Sequence, residues 1–168
     1  MIEPRIIEKD QMTVLGFSFF GDPFELSRGW TEENEIGRLW SRFMTYLREH
    51  GSSIQHIKGD QVSYEIHIYH DETASMGVFE VFVGVEVEKL ENVPVEILVK
   101  VLPATKYAVF TVEGQDIISD WSLWFSAEWL PSSGYQLAHP YHFQYYDQRF
   151  KGLDKVDESA IDVYIPIK

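Results

Sequence analysis

The chain has 168 residues and no cysteine, which removes disulfides, thiolate nucleophiles and zinc–thiolate sites in one step. It has no basic run either: 14 Lys and Arg stand against 27 Asp and Glu, a net charge of −13. A phosphate backbone has to be neutralised by Lys and Arg, so direct binding to nucleic acid is excluded as a function class. No apolar stretch approaches the roughly 20 residues a membrane helix needs. The N-terminal MIEPRIIEKD is charged from its third residue, unlike a signal peptide. Together these absences fit a cytoplasmic protein without membrane association. A G-x-S-x-G elbow, a phosphate-cradling loop and a dinucleotide fingerprint are all missing. His67-x-x-His70 and His139-Pro-x-His142 set their imidazoles on opposite faces of a strand, so no metal and no cofactor is implied.

What the chain does have is aromatic side chains, 11 Phe, 9 Tyr and 5 Trp, in an acidic background. A cavity lined by ring faces and carboxylates suits flat or cationic organic molecules. The run Met12–Phe20 reads as a strand stopped at Gly21-Asp22-Pro23. Thr31 is the expected N-cap of a helix with Glu32, Glu33 and Glu35 in its first turn, ending at His50-Gly51. Ile36, Leu39, Trp40, Phe43, Met44 and Leu47 form one apolar stripe, which assigns Trp40 to the core. Two alternating strands follow, 62–69 and 78–87. Each is expected to turn a dry face to the helix and a mixed face, with Glu65, His67, Glu80 and Phe82, toward a groove. Glu86 reads as solvated, and Asp162 as a weaker candidate. The series then restarts after 91–94. A long strand over 96–112, bent at Pro103-Ala104, precedes a helix over 117–130 stopped by Pro131, and strands at 141–146 and 160–167.

The order is β-α-β-β twice, and the halves match in residues. TKYAVFTVEG (105–114) lies over MTVLGFSFFG (12–21), Leu123-Trp124 over Leu39-Trp40, Gln144 over Glu65 and Asp162 over Glu80. The fold class is therefore α+β, a tandem β-α-β-β duplication with units of about 1–90 and 95–168 in one domain. Two antiparallel sheet units related by a pseudo-twofold would leave a central groove. The second helix carries Trp121, Trp124, Phe125 and Trp129, and Trp124 is the ring expected at the groove.

The second half, KYAVFTVEG, then LWFSAEWLPSSGYQ, then YHFQYY, then IDVYIPIK at the end, resembles the GyrI-like small-molecule-binding domain, which also serves as the effector-binding domain of AraC- and MerR-type regulators. The resemblance covers the whole chain, more weakly in the first half, and implies capture of hydrophobic, planar or cationic small molecules (drugs and other xenobiotics) between the halves. No DNA-binding module precedes the domain, so a stand-alone member is expected. The family's glutamate in an F-E-x-Y motif is replaced by Gln144 in Phe143-Gln144-Tyr145-Tyr146, which moves attention to the carboxylates Glu65 and Glu80. Some stand-alone members resemble hydrolases of electrophilic cyclopropane compounds. On that reading Glu65 or Glu80 is the general base, with Tyr146 at the developing oxyanion. His67, Phe82, Trp124, Gln144 and Tyr164 are the candidate ligand-binding residues. The family's gyrase-inhibitor name implies a third role, contact with a protein partner.

Overall fold

The computed structural model describes residues 3–29 and 31–168; Met1, Ile2 and Trp30, which the first repeat unit includes, lie outside the described residues. Among the described residues there are eight strands: β1 (Arg5–Lys9), β2 (Met12–Gly21), β3 (Ser63–Ile68), β4 (Phe79–Val87), β5 (Leu98–Leu102), β6 (Thr105–Glu113), β7 (Tyr141–Tyr146) and β8 (Ala160–Ile167). They form one antiparallel sheet in the order β1-β6-β8-β7-β3-β4-β2-β5. The helices are α1 (Glu35–His50), α2 (Thr73–Met76), α3 (Trp121–Trp124) and α4 (Leu130–Ser133), with a π turn, Phe125–Trp129, joining the last two.

The α+β duplication is present, and its two units merge into a single sheet. β3 and β7, matched by the repeat, pair at the centre with Glu65 directly opposite Gln144. The pseudo-twofold therefore passes between those two residues. The stretch read as one bent strand is two strands on opposite sides of the sheet. β5 pairs with β2, whereas β6 pairs with β1 and β8. Only Pro103-Ala104 separates β5 from β6, and only Asp10-Gln11 separates β1 from β2. Links that short require the two edges to approach each other, so the sheet curls. Inside the curl, Ile7, Met12, Ile66, Phe82, Leu102, Tyr107, Phe143 and Tyr164 form one cluster drawn from all eight strands.

The helices cover the outer face. Leu39 and Phe43 of α1 pack on Val81, Val83 and Val85. Trp124, Phe125 and Trp129 pack edge-on around Phe110 of β6. Two helix boundaries differ from the sequence reading. The N-cap of α1 is Asn34, whose Oδ1 accepts from the Gly37 N–H at 3.0 Å, while Thr31 accepts from the Glu33 N–H. In the second unit, helical conformation runs on past Pro131 to Ser133 and stops at Gly134, with φ of 77°. The widened π turn before Pro131 accommodates a ring that has no N–H to give. Among the described residues no helix is long and apolar enough to cross a membrane.

Candidate functional site

The two helical segments leave the middle of the outer face, β3 and β7, uncovered between them. Which side chains form that floor is decided by cross-strand register. Tyr64, Ile66 and Ile68 sit opposite Gly84, Phe82 and Glu80, and turn with them toward the inside of the curl. Ser63, Glu65 and His67 turn outward, opposite Tyr146, Gln144 and His142 of β7. The floor is thus a ladder of three polar pairs. Around it lies a groove of about 1450 Å³ walled by α1, the α3 turn and residues of 22–29 and 31–34, with Trp40, Phe79 and Trp121 as aromatic walls.

Glu65 is only 2% exposed. One of its oxygens accepts from Trp40 Nε1 at 2.5 Å, the other from His67 Nε2 at 2.6 Å. Among the described residues no Lys or Arg pairs with it. Beside it the Tyr146 hydroxyl donates to Gln144 Oε1, and burial, then the charge of Glu65, holds its proton on far above the ordinary phenol range. The Tyr69 hydroxyl lies 3.1 Å from His142 Nδ1. Burial, and after it the charge of Glu65, raises Tyr69 as well. His142 is held well below the ordinary imidazole value by burial and by His67, whose ring lies 4.8 Å away between centroids. Its Nε2 has no hydrogen-bond partner among the described residues. The rim is acidic, with Asp22, Glu25, Glu32, Asp120 and Asp147 against Arg28 and Lys151. Two of these acids are already engaged: Asp120 caps α3 by accepting from the Leu123 N–H, and Asp147 holds Arg149 at 2.9 Å. Among the described residues no three His, Asp or Glu side chains gather to hold a metal.

Of the residues singled out in the sequence, Glu65, His67, Gln144 and Tyr146 meet in the groove. Glu80, Phe82, Tyr164 and Trp124 do not. Glu80 lies across the sheet, accepting from Ser18 Oγ and Lys100 Nζ, each at 2.8 Å. The expectation that Glu65 and Glu80 share a face fails because they are not opposite each other: Glu65 faces Val83 and Glu80 faces Ile68. Phe82 is fully buried in the curl, and Tyr164 stacks on Phe143 there with centroids 4.5 Å apart. Trp124 stands edge-on to Phe110 in the second unit's core. Glu86, expected in solvent, is buried and accepts from the Tyr64 hydroxyl at 2.8 Å and from Lys58 at 3.2 Å. Asp162 is likewise buried away from the groove, on Arg149 and Thr111.

Four groove residues escape the sequence reading, among them Phe79, which the alternation assigns to the dry face of its strand. Trp40 sits in a helical apolar stripe that looks like core, and only its N–H, which a buried indole has to satisfy, hinted otherwise. Trp121 precedes the packed face of its helix by less than one turn. His142 has His139 as its neighbour along the sequence, but its partner in the fold is His67 across the strand.

Residues 5–167 match the family described as integron-associated effector binding protein. The transcriptional regulator BrlR of Pseudomonas aeruginosa is 34% identical over 166 residues, covering 97% of this chain and 54% of that regulator. The chain thus spans about half the length of that curated relative. Among solved structures, SAV2435 bound to tetraphenylphosphonium is similar with a TM-score of 0.65 at 12% identity, over 99% of this chain and 94% of that one. An integron cassette protein of Vibrio cholerae is similar with a TM-score of 0.61 at 17% identity, over 99% and 96%. EcmrR in its DNA complex gives 0.68 at 14%, over 99% of this chain and 57% of its own. At such identities these likenesses establish a shared fold. Matched over nearly its whole length, the chain belongs to the integron-associated effector-binding protein family of GyrI-like domains.

Proposed function

We propose that the groove captures hydrophobic, planar organic cations, with Glu65 as their counter-charge and Trp40, Phe79 and Trp121 as their apolar walls. The observation that carries this reading is a carboxylate 2% exposed, at the floor of a large aromatic groove, with His67 but no Lys or Arg against it among the described residues. Burying a carboxylate costs several kcal/mol, which its hydrogen bonds offset only in part. A cation at about 4 Å gains about 4 kcal/mol at the effective dielectric of a partly buried site, against about 1 kcal/mol in water. The same argument ranks Glu65 above Glu25 and Glu32 on the wetter rim, where solvent screens the attraction. The structural neighbour SAV2435 was solved with tetraphenylphosphonium, a bulky aromatic cation, which supports the ligand class.

Titration with tetraphenylphosphonium, followed by tryptophan fluorescence, tests it. Quenching from Trp40 and Trp121 is expected, and Glu65→Gln is expected to weaken binding about tenfold or more, since the charge–charge attraction is lost. Equal affinity of the variant and the unaltered protein would remove Glu65 from the reading.

A second reading, hydrolysis of an electrophilic compound with Glu65 as general base, is favoured by the 2.6 Å contact between Glu65 and His67 in the same groove. Glu80, across the sheet, has no part in it. Tyr146, whose single hydroxyl proton is held by burial and donated to Gln144, serves in this reading as an acid neither to substrate nor to water, and reaches a developing oxyanion only by giving up Gln144. Turnover of a cyclopropane electrophile that Glu65→Gln abolishes while binding persists is the result that would select this reading over simple capture.

A further inference from the structure

His142 lies on the groove floor, is 8% exposed, and has the one buried side-chain nitrogen or oxygen left without a partner among the described residues, its Nε2. A buried polar atom without a partner costs about 1–3 kcal/mol, so such atoms in native proteins call for an explanation. The direction of the hydrogen bond on the other side of the ring decides what Nε2 is: a donating Tyr69 hydroxyl leaves the ring proton on Nε2, an accepting one leaves Nε2 an acceptor, and the inference takes the first. The Tyr69 hydroxyl has His142 Nδ1, at 3.1 Å, as its hydrogen-bond partner. With the hydroxyl donating, Nδ1 is the acceptor and the ring proton sits on Nε2. Because burial and His67 keep the ring neutral, Nε2–H is an N–H dipole and not a second cation beside Glu65. Trp121 stands perpendicular to the imidazole, 5.2 Å between centroids, on the one-turn helix α3 at the groove wall. Because Nε2 is enclosed, a groove ligand reaches it only if this half-buried indole turns aside.

We infer that His142 is a specificity residue: the groove selects cations that also carry a hydrogen-bond-accepting oxygen, which docks on His142 Nε2–H while the positive centre sits at Glu65. The inference rests on the capture reading above and narrows its ligand class. The spacing follows from the ladder. Glu65 and His142 are diagonal neighbours on β3 and β7, a separation of about 7–8 Å between backbones and less between side chains. The oxygen therefore lies about five bonds from the cationic atom, and an aryl group beyond it rests against Trp121.

A matched pair of probes tests this: (4-oxo-4-phenylbutyl)trimethylammonium and (4-phenylbutyl)trimethylammonium, which share charge, length and ring and differ by one carbonyl oxygen. Tetraphenylphosphonium is run beside them. The unaltered protein is expected to favour the ketone about five- to tenfold, the effect of one hydrogen bond to an otherwise unpaired donor. In His142→Phe that ratio falls to one or below, and the ratio is the readout, whatever happens to absolute affinity. Tyr69→Phe keeps the imidazole but releases its tautomer, so the ratio drops there too; this variant carries the test should His142→Phe fail to fold. Equal affinities for the pair in the unaltered protein, or a preference that survives both substitutions, overturn the inference. Failure of all three cations to bind overturns the capture reading instead.

Discussion

At the level of single residues, the groove is held together by donors whose partners lie on other elements. The Trp40 N–H comes from α1 to Glu65 on β3, and the Tyr69 hydroxyl comes from the end of β3 to His142 on β7. Residue types in the sequence announced that carboxylates and imidazoles were present, but not which ones would be deprived of water. His142 shows the consequence for stability. Its folded-state pKa is depressed below the ordinary 6.5 by burial and by the neighbouring His67. The unfolded chain therefore binds a proton there that the folded chain refuses, and stability falls as pH drops below about 6.5. The loss continues down to the depressed folded value, where protonation of the native state ends it. Thermal melts from pH 7.5 to 5 are expected to show this slope, and His142→Phe is expected to flatten it. A variant melting curve with the same pH dependence as the original would assign the slope to other groups.

At the level of elements, alternation was legible and its direction was not. The strands over 63–68 and 79–87 show their period of two plainly in the sequence, yet period alone does not say which face of one strand continues which face of the next. That depends on register, and register here places Glu65 beside Val83 and Glu80 beside Ile68. The dry face of β4 meets α1, as expected, but the dry face of β3 turns inward, because the curl supplies a second apolar interior that an open sheet would lack. The same curl explains why Phe82 and Tyr164 are packing residues. Glu80 consequently serves as the internal comparison for Glu65. It is paired with Lys100 at 2.8 Å in a half-buried setting on the far side of the sheet. Glu80→Gln is expected to cost about 1 kcal/mol of stability or less and to leave tetraphenylphosphonium affinity within about twofold, in contrast to Glu65→Gln. A loss of affinity in Glu80→Gln equal to that in Glu65→Gln would contradict the division of the two faces.

For the molecule as a whole, the duplication was readable from matched strings, whereas the exchange of strands between units was not. β1 opens the first unit but pairs with β6 of the second, and β5 opens the second unit but pairs with β2 of the first. Nothing local distinguishes a strand that folds back on its own unit from one that crosses over, since both present the same alternation. The exchange creates three seams between the halves: five register pairs in β1·β6, six in β3·β7 and five in β2·β5. A fragment ending at Leu90 would lose a neighbour from each of β1, β2 and β3, and its complement would lose one from β5, β6 and β7. A unit of that size also buries too small a share of its apolar surface to offset three bare edges. Leu90 is 51% exposed and Val95 94%, so cutting the chain between Leu90 and Glu91 disturbs little packing. Fragments 1–90 and 91–168 expressed separately are therefore expected to show no cooperative melt. Co-expressed, they are expected to co-purify and to regain tetraphenylphosphonium quenching, because the floor takes Glu65 from one piece and His142 and Gln144 from the other. Cooperative unfolding of either fragment alone would show that the seams are contacts between finished units, and not the means by which each unit is completed.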